Sequence, residues 1–188
     1  MPRSMDLQAR ERQVIEASWR VIARQGMRAL TVRNIAQEAG LAPSSLRYAF
    51  PTQDSVREKS IRAVLERLRE RVAAIAPDSP SWAWQTFQEL LPLDDERRLE
   101  MEVSLALGTA AVTDPLLAPL RAELDAEVYS LCERACAALG LERPGLAREL
   151  QALIDGLALH VVLVPGDDGR WTLEVLRLRL QELGVACD

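Results

Sequence analysis

The sequence predicts an all-α protein of about nine helices, in which a small three-helix domain is joined by a long helix to a larger helical domain. Apolar residues recur at spacings of three and four throughout the chain. Alternating β-branched runs, which would indicate strands, do not occur, and Gly or Pro stands at the predicted breaks. We place the two domains at residues 1–52 and 53–188.

The first three helices are short and are bounded by residues that favour helix ends. The pattern predicts the first helix at residues 7–25. Thr31 is the predicted cap of a second helix, which Gly40 ends. Pro43 suits the first turn of a third helix, and the pair at residues 50–51, Phe then Pro, stops that helix after about seven residues.

A long fourth helix follows and connects the two domains. Thr52 caps it, an apolar stripe runs along it from Ile61 to Ile75, and Pro77 and Pro80 mark its end. Beyond this helix, the periodicity predicts further helices at residues 81–91, 94–112, 115–139, 144–164 and 172–183.

Charge is distributed unevenly along the chain. The net charge is −5, but residues 1–60 contain 10 Lys and Arg against 6 Asp and Glu. The remaining residues contain 13 basic side chains against 22 acidic ones. The basic N-terminal segment suits a negatively charged partner such as nucleic acid, although the total charge alone argues weakly against one.

The signals of a membrane or secreted protein are missing from the sequence. The longest apolar run, residues 157–164, is interrupted by His160 and is far shorter than the roughly 18 residues of a membrane span. Charged residues occupy the N-terminus, where a signal peptide needs an apolar stretch. We therefore expect a cytoplasmic protein with no membrane partner.

No constellation of catalytic or metal-binding residues is recognisable. Cys132, Cys136 and Cys187 form an odd set in a chain that we do not expect to be secreted, and they favour free core or groove thiols over a redox or metal sensor. His160 is the only histidine, and the carboxylates are scattered. We expect no metal, no cofactor and no enzymatic activity.

The second and third helices fit a helix-turn-helix motif that reads double-stranded DNA. Such a motif needs a small residue where its helices cross, a turn residue that tolerates positive φ, and apolar residues that hold the reading helix. Ala36, Gly40 and Leu46 have these properties at the required spacing. The third helix then exposes side chains that suit bases and phosphates, with a merely solvated face as the alternative. These residues are Ser44, Ser45, Arg47 and Tyr48.

Further DNA contacts are expected near helix N-termini that would face the phosphate backbone. Backbone amides at a helix N-terminus attract phosphate, and nearby hydroxyl or cationic side chains add to that attraction. The predicted phosphate-binding residues are Thr31, Arg33, Thr52 and Lys59.

Residues 12–61 resemble the N-terminal domain of TetR-family transcriptional regulators. The shared features are a first helix that ends at Gly26, the block LTVRNIA at residues 30–36, and a third helix that closes in FPT at residues 50–52. Two later segments, LPLD at residues 91–94 and LIDGL at residues 153–157, are similar to the branch that includes the choline-responsive BetI repressors.

The resemblance implies a ligand chamber within the C-terminal helices. An aromatic-rich cluster there suits an apolar or cationic ligand, and ordinary core packing is the alternative for each of its members. We therefore expect a small-molecule effector near Trp84, Phe87, Met101, Leu105, Thr109, Tyr129, His160 and Trp171.

The last two predicted helices have enough apolar surface to be buried on two sides. Residues 144–164 have two adjacent apolar stripes, Gly156 allows close backbone approach, and residues 172–183 have a leucine seam. Because a palindromic operator requires two reading heads at a fixed spacing, we expect a homodimer formed as a four-helix bundle. The predicted interface residues are Leu150, Leu153, Ile154, Leu157, Val161, Leu173, Leu176 and Leu180.

Together these expectations describe a dimeric repressor that binds a palindromic operator and is released by a small molecule. Two alternatives stay open within DNA binding: a TetR-like activator, and a regulator controlled by protein contacts without a small-molecule inducer. A helical scaffold with a vestigial DNA domain is an alternative from another class.

Overall fold

The predicted all-α fold is confirmed by a computed structural model, which describes residues 2–50, 52–79 and 81–185. Side chains are described for these residues except 2–8, 47–49 and 53. The described residues form nine α-helices and no strand. The helices are α1 (Pro2–Gln25), α2 (Val32–Ala39), α3 (Pro43–Ala49), α4 (Gln53–Ala74), α5 (Trp82–Glu89), α6 (Asp95–Ala111), α7 (Ala118–Ala138), α8 (Leu146–Leu163) and α9 (Arg170–Glu182).

Several helix ends differ from the predicted ones. α1 begins at Pro2 instead of residue 7, which is physically acceptable because proline is tolerated in the first turn of a helix. α7 begins at Ala118 instead of residue 115, since the Asp114 carboxylate accepts a hydrogen bond from the Leu116 amide (3.0 Å) and holds a turn. α9 begins at Arg170, directly after Gly169, whose φ of 70° places it in the left-handed region.

Contacts within the chain divide it into two compact units. The N-terminal unit comprises Met1–Val64 with Glu102–Arg121, and the C-terminal unit comprises Leu65–Met101 with Ala122–Asp188. The helices α4, α6 and α7 therefore each contribute residues to both units. The functional division at residue 52 stays a prediction.

The N-terminal unit is held together around the fully buried Trp19 of α1. Its indole Nε1 donates a hydrogen bond to the carbonyl oxygen of Ser60 (2.7 Å), which ties α1 to α4. Gln13 of α1 also donates to the Ala39 carbonyl at the end of α2 (2.9 Å). These contacts place α2 against α1 and thereby position the helix that follows.

The C-terminal unit buries an apolar core to which α4, α5, α7, α8 and α9 contribute, with Phe87 and Leu150 among its fully buried residues. A partly buried ionic cluster lies beside α6: Arg71 donates two hydrogen bonds to the Glu100 carboxylate (3.0 and 2.8 Å) and one to Glu89 (2.8 Å). Burial raises the pKa of Glu100 above its ordinary value, although the hydrogen bonds and charge of Arg71 oppose that rise.

Candidate nucleic-acid interface

The turn between α2 and α3 has the local geometry of a helix-turn-helix. The Thr31 hydroxyl accepts a hydrogen bond from the Asn34 amide (3.2 Å) and caps α2, as predicted. Gly40 ends α2 with φ 66° and ψ 31°, a left-handed conformation that glycine adopts without steric cost. The Leu41 amide then donates back to the Ala36 carbonyl (2.9 Å), so the chain turns sharply into α3.

α3 buries one side and presents the other. Pro43 occupies its first turn, and the side chains of Leu46 and Phe50 are both about 1% exposed. Ser44 is exposed and Ser45 is half-buried. Arg47 and Tyr48 belong to α3, but their side chains lie outside the described ones, so their predicted base contacts stay a prediction.

The start of α4 is capped by a reciprocal pair. The Ser55 amide donates to the Thr52 hydroxyl (3.1 Å), and the Thr52 amide donates to the Ser55 hydroxyl (3.2 Å). This arrangement follows the logic of a capping box, in which each side chain satisfies the other residue's backbone amide. Thr52 is nevertheless exposed, and so is Arg33 on α2, as their predicted role at phosphates requires.

Lys59, the remaining predicted phosphate contact, has two partners that the sequence analysis missed. Its Nζ lies 2.9 Å from a carboxylate oxygen of Glu11 and 5.0 Å from the centroid of the Phe50 ring. Both ends of the Lys59–Glu11 pair are about half-exposed, and exposed pairs of this kind contribute little to stability. The predicted contact of Lys59 with a DNA phosphate stays a prediction. Because Glu11 lies far from Lys59 in the sequence, periodicity gave no signal of this pair.

No single cluster of contacts in the described part of the chain contains all eight predicted effector residues. Phe87 is fully buried in the core, and Met101 packs against that core. Arg177 lies 5.6 Å from the centre of the Trp84 ring, and Arg148 lies 4.2 Å from that of Tyr129. His160 and Trp171 do meet, with ring centroids 5.9 Å apart.

Leu105 and Thr109 belong to the N-terminal unit, where the Thr109 hydroxyl donates to the Leu105 carbonyl (3.0 Å). Their role at a ligand stays a prediction.

The structure contains a groove that the sequence analysis did not anticipate. It lies in the C-terminal unit, has a volume of about 570 Å³, and is bordered by the end of α4, the segment after it, the start of α5, and α7. We call it the α4–α7 groove. Its lining residues are Arg69, Val72, Ala73, Ile75, Pro77, Trp82, Glu127, Leu131 and Arg134. The tryptophan was visible in the sequence, but the pairing of α4 with α7 was not.

Most of the predicted dimer residues are buried within a single chain. Leu150, Ile154, Leu157, Val161, Leu176 and Leu180 are buried, whereas Leu153 and Leu173 are partly buried. Other apolar side chains on the same segment are exposed instead. These exposed residues, the α8–α9 apolar patch, are Leu159, Leu163, Val164, Trp171 and Leu178.

Cys132 and Cys136 are buried in the core of the C-terminal unit, which confirms the expectation of core or groove thiols for this pair. Burial raises the pKa of Cys132 to about 12, so its thiol is protonated and unreactive at neutral pH. Cys187 lies outside the described residues. Among the residues searched, no cluster of candidate metal ligands was found, and no helix is long and apolar enough to cross a membrane.

The helix-turn-helix and the helical body that follows it define the class of this protein as a DNA-binding transcriptional regulator. Residues 14–58 match the family of bacterial regulatory proteins named tetR, and residues 81–183 match the C-terminal domain of BetI-type transcriptional repressors. The chain belongs to the TetR family of transcriptional regulators and has a BetI-type C-terminal domain.

Known proteins are similar to this chain over most of their length. The regulator PksA of Bacillus subtilis is 33% identical over 173 residues, which cover 88% of this chain and 84% of the relative. The regulator BetI of Stenotrophomonas maltophilia is 31% identical, with 88% of each chain covered. A regulator from Saccharomonospora viridis, solved in complex with choline, has the same fold, with a TM-score of 0.71 and 24% identity over 93% of this chain and 96% of that one. These relatives are transcriptional regulators, not enzymes.

Proposed function

We propose that this regulator is a repressor that binds a palindromic operator as a homodimer and is released from it by a small molecule. The geometry of α2 and α3 carries the DNA-binding part of the proposal. The left-handed Gly40 turns the chain into α3, Leu46 and Phe50 hold the inner side of that helix, and Ser44 lies exposed on it. A helix held in this way is suited to enter the major groove.

The direction of regulation is inferred from the C-terminal family. Its members are described as transcriptional repressors, and the matched region covers residues 81–183 of this chain. The alternative, a TetR-like activator, makes the opposite prediction for a reporter gene placed behind the operator. Loss of the regulator should raise expression of that reporter, and a fall in expression would identify an activator.

A homodimer is supported by the α8–α9 apolar patch. On α8, Ala152, Gly156, Leu159 and Leu163 are exposed at the spacing of one helical face. Gly156 has open space around the position of a missing Cβ, so a second helix is able to approach it closely. Exposed apolar residues that share one helical face favour an interaction site. A second copy of this chain suits the patch, because a palindromic operator requires two reading heads.

Release by a small molecule is supported by the relatives and by the path of α4. The related regulator from Saccharomonospora viridis binds choline, although the likeness of the folds does not identify the effector of this chain. α4 starts at Gln53, directly after the reading motif, and continues into the C-terminal unit at Leu65. A ligand that favours one arrangement of this continuous helix therefore alters how well two reading heads fit an operator.

A competing proposal is control by protein contacts without an inducer. The two are separated by titrating small molecules against the regulator with and without its operator. An effector must bind the free and the DNA-bound regulator with different affinities. The factor by which the operator weakens binding of the effector must equal the factor by which the effector weakens binding of the operator. If every bound compound had equal affinity in both titrations, control by a small molecule would be wrong.

The DNA-reading assignment is tested with Arg47→Ala. If Arg47 contacts a base through two hydrogen bonds, its removal should cost about 1 to 3 kcal/mol of operator affinity and relax sequence preference at one position per half-site. Arg143→Ala is the matched control, because it removes the same charge from a 54% exposed side chain of the C-terminal unit that belongs neither to the α8–α9 apolar patch nor to the α4–α7 groove. Equal operator affinities for the two variants, measured by fluorescence anisotropy at one salt concentration, would refute the role of Arg47.

A further inference from the structure

We propose that the α4–α7 groove binds an organic anion with an apolar body. The proposal that this anion is the effector rests on the function proposed above, whereas the binding itself does not. A volume of about 570 Å³ falls within the range of small-molecule sites. The groove lies wholly within the C-terminal unit.

The apolar part of the site is formed by α4, the segment after it, and α7. Val72 and Leu131 are both buried members of the core, and they meet the groove from opposite helices. Ile75 and Pro77 extend the same surface beyond α4. Trp82, at the first turn of α5, is half-buried and packs against the core, so its ring forms a fixed wall. These residues suit a flat or aliphatic ligand body.

Of the two arginines in the groove, one is already paired. Arg69 donates to a Glu127 carboxylate oxygen through Nε (2.8 Å) and also through a terminal nitrogen. Glu127 borders the groove as well, so this pair adds little net charge to the site. The Glu127 hydrogen bond raises the pKa of Arg69, and the nearby charges of Glu123 and Glu66 act in the same direction.

Arg134 is the cation that remains available. Its guanidinium carbon lies 5.4 Å from the centroid of the Trp82 ring, and no carboxylate in the described part of the chain forms an ion pair with it. A guanidinium that lies over an aromatic ring still has N–H groups free, and two of them can donate parallel hydrogen bonds to a carboxylate or a similar anion. Arg134 therefore brings guanidinium donors to the apolar lining of the groove.

The same arrangement disfavours a cationic ligand. Arg134 already lies over the Trp82 ring, so a cation that approached the same ring would meet the positive charge of the guanidinium. The groove is lined by two arginines and one glutamate, and because Arg69 and Glu127 pair with each other, Arg134 leaves one positive charge at the site. That charge and the apolar surface together favour an amphiphilic anion.

Three ligands of one shape and different charge test the proposal: 2-naphthoate, 2-naphthamide and 2-naphthylmethylammonium. Calorimetric titration of the full-length protein should give about tenfold tighter binding of the carboxylate than of the amide, with the ammonium weakest. Arg134→Gln should reduce the preference for the carboxylate to about twofold or less. Arg177→Gln should leave it unchanged, because the Arg177 guanidinium lies 5.6 Å from the centroid of the Trp84 ring, at a similar distance, but outside the groove.

Several results would overturn the proposal. They are equal binding of carboxylate and amide, tighter binding of the ammonium, no binding of the carboxylate at millimolar concentration, and an unchanged preference in Arg134→Gln. Far-UV circular dichroism and thermal unfolding verify that both variants are folded.

Titrating the regulator–operator complex with 2-naphthoate then tests the effector role. If 2-naphthoate binds through Arg134 without changing operator affinity, only the effector role is refuted. If a compound releases the operator and its affinity is the same for Arg134→Gln, the groove is refuted as the effector site and the proposed function is left intact.

Discussion

Thr86 is a buried residue of α5 whose hydroxyl is not satisfied. The side chain is fully buried, and its Oγ1 forms no hydrogen bond in the part of the chain that the structure describes. A buried hydroxyl without a partner loses its hydrogen bonds to water and receives nothing in return. Thr172, also fully buried, differs because its hydroxyl donates to the Gly169 carbonyl (2.6 Å).

We expect Thr86→Val to raise the free energy of unfolding by about 1 kcal/mol, because the methyl that replaces the hydroxyl has no hydrogen bonds to lose. Thr172→Val is the matched control and should lower the same quantity by about 1 kcal/mol, since it removes a buried hydrogen bond to the Gly169 carbonyl, which keeps only the one from the Thr172 amide (3.0 Å). Urea unfolding followed by circular dichroism measures both changes. A destabilised Thr86→Val protein would show that the hydroxyl has a partner after all.

At the scale of single elements, the start of α6 depends on Asp94. Its carboxylate accepts hydrogen bonds from the Arg97 amide (2.8 Å) and from Arg97 Nε (2.8 Å). Partial burial alone would raise the pKa of Asp94, but these hydrogen bonds and the charge of Arg97 outweigh it and hold the pKa below its ordinary value. Asp94 therefore acts as an N-terminal cap that is effective in its ionised form.

We expect Asp94→Ala to lower the free energy of unfolding by about 1 kcal/mol at neutral pH, the usual contribution of such a cap. Because the pKa is lowered in the folded state, this contribution is present above the ordinary pKa of an aspartate and is lost as the pH falls through the lowered value. The difference between Asp94→Ala and the wild type should consequently shrink in acid.

Asp95→Ala is the control for this prediction, because it removes the same charge from the adjacent position in the first turn of α6. It should cost clearly less than Asp94→Ala when both are compared by urea unfolding at pH 7. If the two variants were equally destabilised at that pH, a general effect of charge at the helix N-terminus would replace capping as the explanation.

At the scale of the whole molecule, the proposed homodimer needs an apolar surface that is not already buried within one chain. Leu163 is 68% exposed and Leu178 is 55% exposed in the α8–α9 apolar patch, whereas Leu157 and Leu180 are buried in their own chain. Glutamate at the buried pair would unfold the C-terminal unit, since a buried unpaired charge is very costly. Only the exposed pair separates dimerisation from folding.

We expect Leu163→Glu combined with Leu178→Glu to give a folded monomer with greatly weakened operator binding, because a single reading head binds a half-site weakly. The control carries Val112→Glu and Leu116→Glu, which place the same charges on side chains that are 84% and 70% exposed in the N-terminal unit. Sedimentation velocity at micromolar concentration measures both. If the variant with Leu163→Glu and Leu178→Glu stayed dimeric while the control became monomeric, the interface would lie in the N-terminal unit instead.

The local features of this protein could be predicted from its sequence. The cap at Thr31, the left-handed turn at Gly40 and the helix start at Pro43 depend on the conformational preferences of single residues and on hydrogen bonds to near neighbours. The all-α class followed in the same way from apolar periodicity, and the motif and the family resemblance from residues 12–61.

Only the tertiary structure decided which surfaces are covered. Periodicity showed that α8 and α9 have wide apolar surfaces, but it did not distinguish the side packed in the core, which includes Leu150 and Leu176, from the exposed side at Leu163. The same holds for Arg134 and Trp82, which meet although they are distant in the sequence. The sequence by itself determined helices, caps and the reading motif because these depend on short-range preferences. The packing of α4 and α5 against α7 decided the groove, and the packing of α8 and α9 into the core decided which of their apolar residues stay exposed, because burial depends on residues that lie far apart along the chain.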